Sequence, residues 1–288
     1  KIDIVNVAIG NDVLDVDVTV TNNSGHKFPS GAGFRRGFIE LQVLDAAGRP
    51  LWVSGRYNKF GVLVDEKGKA LTSEFTRDPK QLQPHYQRIT RQDQVQVYEV
   101  RTSEENGLLT TKTLSLFTDE KDNRILPNGW RPANLRKKNA ERYGLNLRTL
   151  ANITEAFAVG DDPDYSDPER IGGDSLRYSI GLKSLKGKPA QVKAYMRYQT
   201  IPPYFLVDRY ADGYIAGQKR YGPATERLIY LTSRLNTNLN LTSANNSVND
   251  FDVIADWTMT LSVDHAPLAQ AMTVARLSDS NSTAEEQP

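Results

Sequence analysis

Three histidines, His26, His85 and His265, are the side chains of this 288-residue chain best suited to ligand chemistry. A neutral imidazole offers a nitrogen lone pair near neutral pH, which makes it a common donor to metals. His26 lies in Gly25-His26-Lys27-Phe28-Pro29-Ser30-Gly31, which runs on into Phe34-Arg35-Arg36-Gly37-Phe38. Glycine and proline control that turn. A histidine held there is either a ligand offered beyond the flanking strands or a turn residue with no chemistry. His85 follows Pro84, and His265 precedes Ala266-Pro267. For His85 the competing role is a structural one, bonded to a neighbouring carboxylate or carbonyl. The spacing of the three carries no metal-binding pattern.

Carboxylates cluster in Asp161-Asp162-Pro163-Asp164-Tyr165-Ser166-Asp167-Pro168-Glu169. Asp161, Asp162, Asp164 and Asp167 supply the oxygen density of a calcium loop. The run is not an EF-hand. Counted from Asp162, its sixth position is Asp167 instead of glycine and its twelfth is Gly173 instead of glutamate. A solvated acidic loop is the alternative. No nucleophile elbow, zinc-protease helix motif or phosphate-binding loop occurs, so the chain does not read as an enzyme.

Composition narrows the field. The net charge is +1, from 36 basic and 35 acidic residues. That balance argues against a nucleic-acid partner. No apolar run reaches the ~18–20 residues that span a bilayer. The chain has no cysteine. It therefore makes no disulfide, no thiolate metal site and no covalent c-type haem attachment. Lys1-Ile2-Asp3-Ile4 opens directly in a strand pattern without a signal peptide, as expected of a mature or cut end.

These groups must be positioned mostly by strands. Val16, Val18 and Val20 alternate with Asp15, Asp17 and Thr19, after a Gly10-Asn11-Asp12 turn. Similar alternation marks Phe38–Leu44, Val95–Val100, Leu176–Leu182 and Val192–Tyr198, and further strands are expected at Leu114–Phe117 and Trp257–Val263. Pro202-Pro203 stops the strand before it. A short helix is expected within 136–150, capped by Asn134, and a second from Pro223 to Arg234. The fold class predicted is all-β: an antiparallel β-sandwich-type architecture with long irregular loops and one or two short helices. Residues 1–118 form one β part and 119–170 an irregular insertion. Residues 171–276 either complete the sandwich or make a second small domain, and 277–288 form a polar, disordered tail.

Several blocks occur in a characteristic order: Gly25–Gly31 with Arg35-Arg36; Asp45…Gly48 with Ser54-Gly55; Pro84-His85-Tyr86 with Asp93–Glu99; Lys121–Pro127; Gly172-Gly173-Asp174…Tyr178; Tyr198–Tyr204; and Arg227–Leu231. Together they resemble the cysteine-free, β-rich C-terminal region of large bacterial multihaem c-type cytochromes. The resemblance covers roughly residues 15–262. It implies electron transfer in the periplasm, outside the cell or at its surface. The Cys-x-x-Cys-His motifs of such proteins are missing, so the haem c would sit on a partner domain or chain. This chain would then be a proteolytic fragment or a separate gene product. In that setting His26 is a candidate distal haem ligand in trans and His85 a weaker one. Arg35 and Arg36 are candidate partners for haem propionates. Homo-oligomers or filaments are possible assemblies. The alternative is a structural or adhesive cell-surface β-sandwich without a redox role.

Overall fold

A computed structural model of the protein describes residues 1–232 and 258–268. Residues 233–234 of the expected second helix, Trp257 and the tail from Leu277 lie outside the described residues.

The chain opens with a hairpin. β1 (Ile2–Gly10) and β2 (Val13–Thr21) pair antiparallel, with Gly10 opposite Val13. Only Asn11 and Asp12 connect them, both at positive φ (50° and 61°). A two-residue hairpin turn of this hand needs that conformation, and Asn and Asp tolerate it better than other side chains. Along β2 the burial alternates strictly, placing Leu14, Val16, Val18 and Val20 inside.

β3 (Arg36–Leu44) and β4 (Pro50–Ser54) form the next hairpin. After irregular chain come β5 (Arg88–Ile89), β6 (Val97–Tyr98), β7 (Val100–Ser103), β8 (Leu109–Thr110) and β9 (Thr118–Asp122). Next are three short helices: α1 (Lys137–Arg142), α2 (Leu147–Thr154) and α3 (Pro163–Ser166). β10 (Gly173–Gly181) and β11 (Gln191–Gln199) return to the sheets. α4 (Pro203–Asp212), the small hairpin of β12 (Tyr214–Ile215) and β13 (Arg220–Tyr221), α5 (Pro223–Thr232) and β14 (Thr258–Pro267) complete the described chain.

One sheet has the order β1-β2-β10-β5, with β5 parallel to β10 and the rest antiparallel. The other has the order β14-β11-β3-β4, with β6 also on β3, and is wholly antiparallel. They close on a shared core. Val16, Val18, Leu176 and Ile180 come from the first sheet, and Ile39, Leu41, Val192 and Met196 from the second. The protein is therefore an all-β sandwich, as its alternating segments predict. β10 and β11, more than 150 residues after β2 and β3 begin, pair along their full lengths with those two strands.

β3 is buried along nearly its whole length. Ile39, Leu41 and Val43 face the sandwich core. On the other face Phe38 packs with Leu63, Leu71, Val95 and Val97, a second apolar cluster under the 56–97 loops. A strand covered on both faces loses the polar half of its alternation. The layer over this outer face also carries buried polar side chains, among them Glu74 and Glu99.

Three local expectations differ from the structure. The segment 114–117 is not a strand: Thr113–Ser115 makes one 3-10 turn, and pairing begins at Thr118. The basic stretch holds two helices instead of one, broken at Gly144 (φ 66°). The capping side chain is Asn146, whose Oδ1 accepts from the Thr149 N–H at 2.7 Å, and not Asn134. Finally, Pro202-Pro203 ends β11 but also starts α4, because proline is well suited to the first helical position.

Gly55, at the end of β4, has φ 78°, and a Cβ there would lie 2.3 Å from the Ile39 carbonyl oxygen of β3. Backbone cannot withdraw as a flexible side chain can. Gly55→Ala is expected to lower stability by about 2–4 kcal/mol. The midpoint of urea unfolding measures this, and a loss below ~1 kcal/mol would show that the strand ends relax freely.

Candidate functional site

The densest polar centre is built around His85, in the loop between Pro84 and β5. The side chains of His85, Asp162 and Asp174 are only 1%, 2% and 0% exposed. His85 Nε2 lies 2.8 Å from Asp162 Oδ2 and 3.6 Å from Asp174 Oδ1. Two amides face its other nitrogen: Gln96 Nε2 at 2.8 Å and Asn123 Nδ2 at 3.3 Å from Nδ1. Both amides are oriented by backbone. Gln96 Oε1 accepts from the Tyr86 N–H, and Asn123 Oδ1 from the Glu99 N–H, while Asn123 Nδ2 also donates to the Val97 carbonyl. An amide NH2 only donates. Nδ1 of His85 is therefore the acceptor, and Nε2 carries the proton donated to Asp162.

This assignment decides what the centre can hold. His85, Asp162 and Asp174 each present a ligand atom, all within 4.8 Å of one another, and form the sole such group of three among the described residues. A metal at Nε2 of a neutral imidazole requires the proton on Nδ1. Here two fixed N–H donors already point at Nδ1, so the donor set does not fit a metal. The centre holds protons instead. Burial pushes the Asp174 carboxyl up to about 6, against the opposing pull of His85 and of hydrogen bonds from Tyr98 and Gln96. Burial also pushes Asp162 up, but hydrogen bonds from His85, the Asp164 backbone and Asp174 outweigh it and leave Asp162 below the usual carboxylate range. The two carboxyls are thus driven apart, Asp174 toward the neutral form and Asp162 toward the ionised form that faces His85 Nε2. The Tyr165 ring packs on His85 in a T-shaped contact, with centroids 5.1 Å apart. Sealed in this way, His85 cannot reach a haem iron, which corrects its candidacy as a distal ligand.

The acidic loop is likewise divided among protein partners. Asp162 Oδ1 caps α3 by accepting from Asp164 N–H. Asp164 accepts from Arg170 Nε and from the Ser175 N–H, at 2.8 and 2.7 Å. Asp167 accepts from Glu169 N–H. Asp161, Asp164 and Asp167 do not join the convergent group, so the four carboxylates do not form the expected calcium site. Asp162 and Asp164 instead dock the loop on His85 and β10.

A second buried network runs along the outer face of β3. Arg36 clasps Glu74 with two bonds of 2.7 and 2.9 Å and donates through Nε to Gln199. Glu74 also accepts from Leu63 N–H. These contacts turn Arg36 into the protein and correct its assignment as a propionate partner. Lys121 places its three N–H groups on the carbonyls of Gln83 and Val97 and on Glu99 Oε1. Arg35 stays partly exposed, folded over Gly31 with Nη1 donating to the Ser30 carbonyl at 3.2 Å.

His26 is exposed. Its loop is clamped from within. The buried Asn22 amide donates to the His26 and Ile125 carbonyls, and Ser24 Oγ lies 2.9 Å from the His26 carbonyl. Phe28 and Ile125 exchange both backbone hydrogen bonds at 2.8 Å. Lys27 Nζ binds Asp122 at 2.7 Å and the Glu155 carbonyl. His26 Nδ1 lies 3.2 Å from the Lys27 carbonyl, which can only accept. Ser24 Oγ also lies 3.3 Å from Nδ1, and with its hydrogen spent on Asn22 Oδ1 at 2.6 Å it too is an acceptor there. Both contacts call for the proton on Nδ1 and leave Nε2 with its lone pair, opposite to the tautomer of His85. His265 lies exposed on β14, opposite Lys193.

Sequence reasoning did not single out Gln96, Asn123, Tyr98 or Asp174 as functional. No local signal marks Gln96, which takes the ordinary polar position in the alternating Val95–Val100 segment; the structure turns that face inward as well.

No family model matches the chain, and no curated protein matches it. Among solved structures it is similar to a penta-heme cytochrome c552 from Thermochromatium tepidum, with 13% identity and a TM-score of 0.43. That match covers 93% of this chain and 39% of the cytochrome, so the chain spans well under half of that protein's length.

The His85 centre makes stability pH-dependent with a defined sign. Between the ordinary value of 3.8 and about 6, folded Asp174 holds a proton that the unfolded chain releases. Stability therefore falls as pH rises through that window, by up to about 3 kcal/mol. The depressed Asp162 acts oppositely, below its ordinary 3.8. Asp174→Asn mimics the neutral acid and is expected to flatten the decline from about pH 4 to pH 7. Thermal melts across that range check it. A decline of equal slope in the variant would assign the proton elsewhere.

Proposed function

We propose that this chain is a haem-free β-sandwich that docks on a haem-bearing domain or chain of an extracytoplasmic multihaem c-type cytochrome and supplies His26 as a distal ligand there. The observation that carries this reading is the state of His26. Its ring is on the surface, Nδ1 is turned to the Lys27 carbonyl, and Nε2 has no partner among the described residues. An axial imidazole needs this arrangement: a carbonyl holding the proton of one nitrogen and a free lone pair on the other. The clamp from Asn22, Lys27 and Phe28 holds the loop rigidly enough to present it.

The sequence blocks add a second support. The segment 121–127, one of the blocks of the cytochrome resemblance, is the segment that clamps the His26 loop. With no cysteine, the chain attaches no haem c covalently. What it contributes is a ligand and a face that excludes water from the haem edge. Arg35 lies in the same turn region and is the remaining candidate for a propionate. In this reading the electron passes along haems of the partner, in the periplasm or at the cell surface. This chain itself catalyses no reaction.

His26→Ala, expressed with the haem-bearing partner, is expected to convert one low-spin haem to a high-spin signal in the electronic and EPR spectra. His85→Ala serves as the control: it is expected to lower thermal stability and leave the haem spectrum intact. An unchanged spectrum in the His26 variant would sink the ligand proposal. A preparation that is colourless, from a gene encoding no haem motif and lacking such a partner, would leave a structural sandwich instead.

A further inference from the structure

The geometry points to a binding site for a small organic carboxylate with an apolar body, in the pocket between the 32–34 turn, β7 and the start of α4, with Arg101 as its anion partner. This site is independent of His26 and of any haem. The pocket has a volume of about 340 Å3. That is within the range of ligand pockets, most of which are apolar with a few converging polar groups. Phe34 and Phe205 form one wall, their rings stacked 3.9 Å apart. Leu116 and Val100 line it further, and Thr110 and Thr113 supply hydroxyls.

Arg101 is the sole charged side chain lining this pocket. Its side chain is only 7% exposed. One face of the guanidinium lies 4.0 Å from the centre of the Tyr204 ring, and Tyr204 is itself pinned by its hydroxyl to the Phe34 carbonyl. Among the described residues the guanidinium makes no hydrogen bond. Glu99 Oε2 comes no closer than 3.7 Å, and Glu99 Oε1 is taken by Lys121. Five N–H donors in a fixed fork are rarely left idle when buried, because each unmade bond carries a desolvation cost.

The surrounding charge agrees. Arg36, Arg101 and Lys121 are three buried cations that face two carboxylates, Glu74 and Glu99. Arg36 has Glu74 to itself, whereas Lys121 and Arg101 share Glu99, so the guanidinium at the pocket has only a shared counter-charge, 3.7 Å away. A buried charge so weakly paired favours the arrival of a further counter-charge. A carboxylate matches a guanidinium with two parallel hydrogen bonds, and the phenyl and leucyl walls then cover an apolar tail. Asp208 and Arg209, nearby on α4, do not line this pocket, and each has one bond to Thr111 Oγ1, at 2.7 Å.

The test uses hydrocinnamate against its neutral isostere hydrocinnamide, by isothermal titration and ligand-observed NMR on the wild-type chain. The acid is expected to bind at least about tenfold more tightly than the amide. Arg101→Met is expected to abolish that preference with the circular-dichroism spectrum retained, and Arg101→Lys to restore part of it. Leu116→Trp, at a partly exposed wall position, is expected to weaken the acid and the amide together by filling the pocket. Equal binding of acid and amide, no binding of either at millimolar concentration, or a preference that survives in Arg101→Met would each overturn the assignment. The acid–amide comparison needs no variant, so it decides the matter even where Arg101→Met fails to fold.

Discussion

Asp174 and Tyr98 belong to different sheets of the sandwich, and a 2.6 Å hydrogen bond joins them inside the protein. Gln96 donates to the same carboxyl oxygen at 2.9 Å and, with its second hydrogen, to His85. Removing this carboxyl from water is unfavourable unless it is neutral or fully bonded. The protein does the first and only part of the second. It pushes the carboxyl toward the neutral form and gives Oδ2 two donors, while Oδ1 has no hydrogen-bond partner among the described residues. The placement of the loops depends on that solution. Asn123, Asp162 and Tyr165 must be brought to the same place, and with them the 121–127 segment and the acidic loop. A sandwich held by apolar contacts alone would leave these loops free. The polar centre makes their positions part of the fold.

The two nitrogens of an imidazole, one donor and one acceptor, are used in opposite ways at His26 and His85. At His85 two fixed amides demand an acceptor at Nδ1, and the ring becomes an internal strut. At His26 a backbone carbonyl demands a donor at Nδ1, and the lone pair of Nε2 is left unused. The loops that carry them meet through one segment, since residues 122–125 bond the His26 loop while Asn123 bonds His85. The buried strut therefore supports the clamp behind the exposed ring.

A similar division separates the arginines. Arg36 is neutralised by Glu74 in a bidentate pair, and its burial is fully compensated. Arg101, on β7, stacks on Tyr204 and has no such bidentate partner among the described residues. Burial by itself does not tell these two apart. The distinction lies in which carboxylates the loops bring within reach, and Glu99 is already engaged by Lys121.

Much of the sandwich was legible in the sequence. The period-2 pattern of Val16, Val18 and Val20 defines a face before any partner is known, and Asn11-Asp12 defines the hairpin turn. The lack of cysteine likewise excludes covalent haem on this chain, whatever its fold. The third layer was not legible. β3 is covered on both faces, which erases the alternation that would mark an outer side. Proline at the start of α4 has the same appearance in sequence as proline that only ends a strand. The candidate residues divided in the same way. Their types showed that His26, His85, Arg35, Arg36 and the aspartates could act as ligands. Only the tertiary structure decided which of them remain available, because donors and acceptors more than 70 residues apart, such as His85 with Asp162 and Gln96 with Asp174, meet only when the sheets close. Local sequence determines what a side chain can bond. Long-range packing determines whether that capacity has already been met inside the protein.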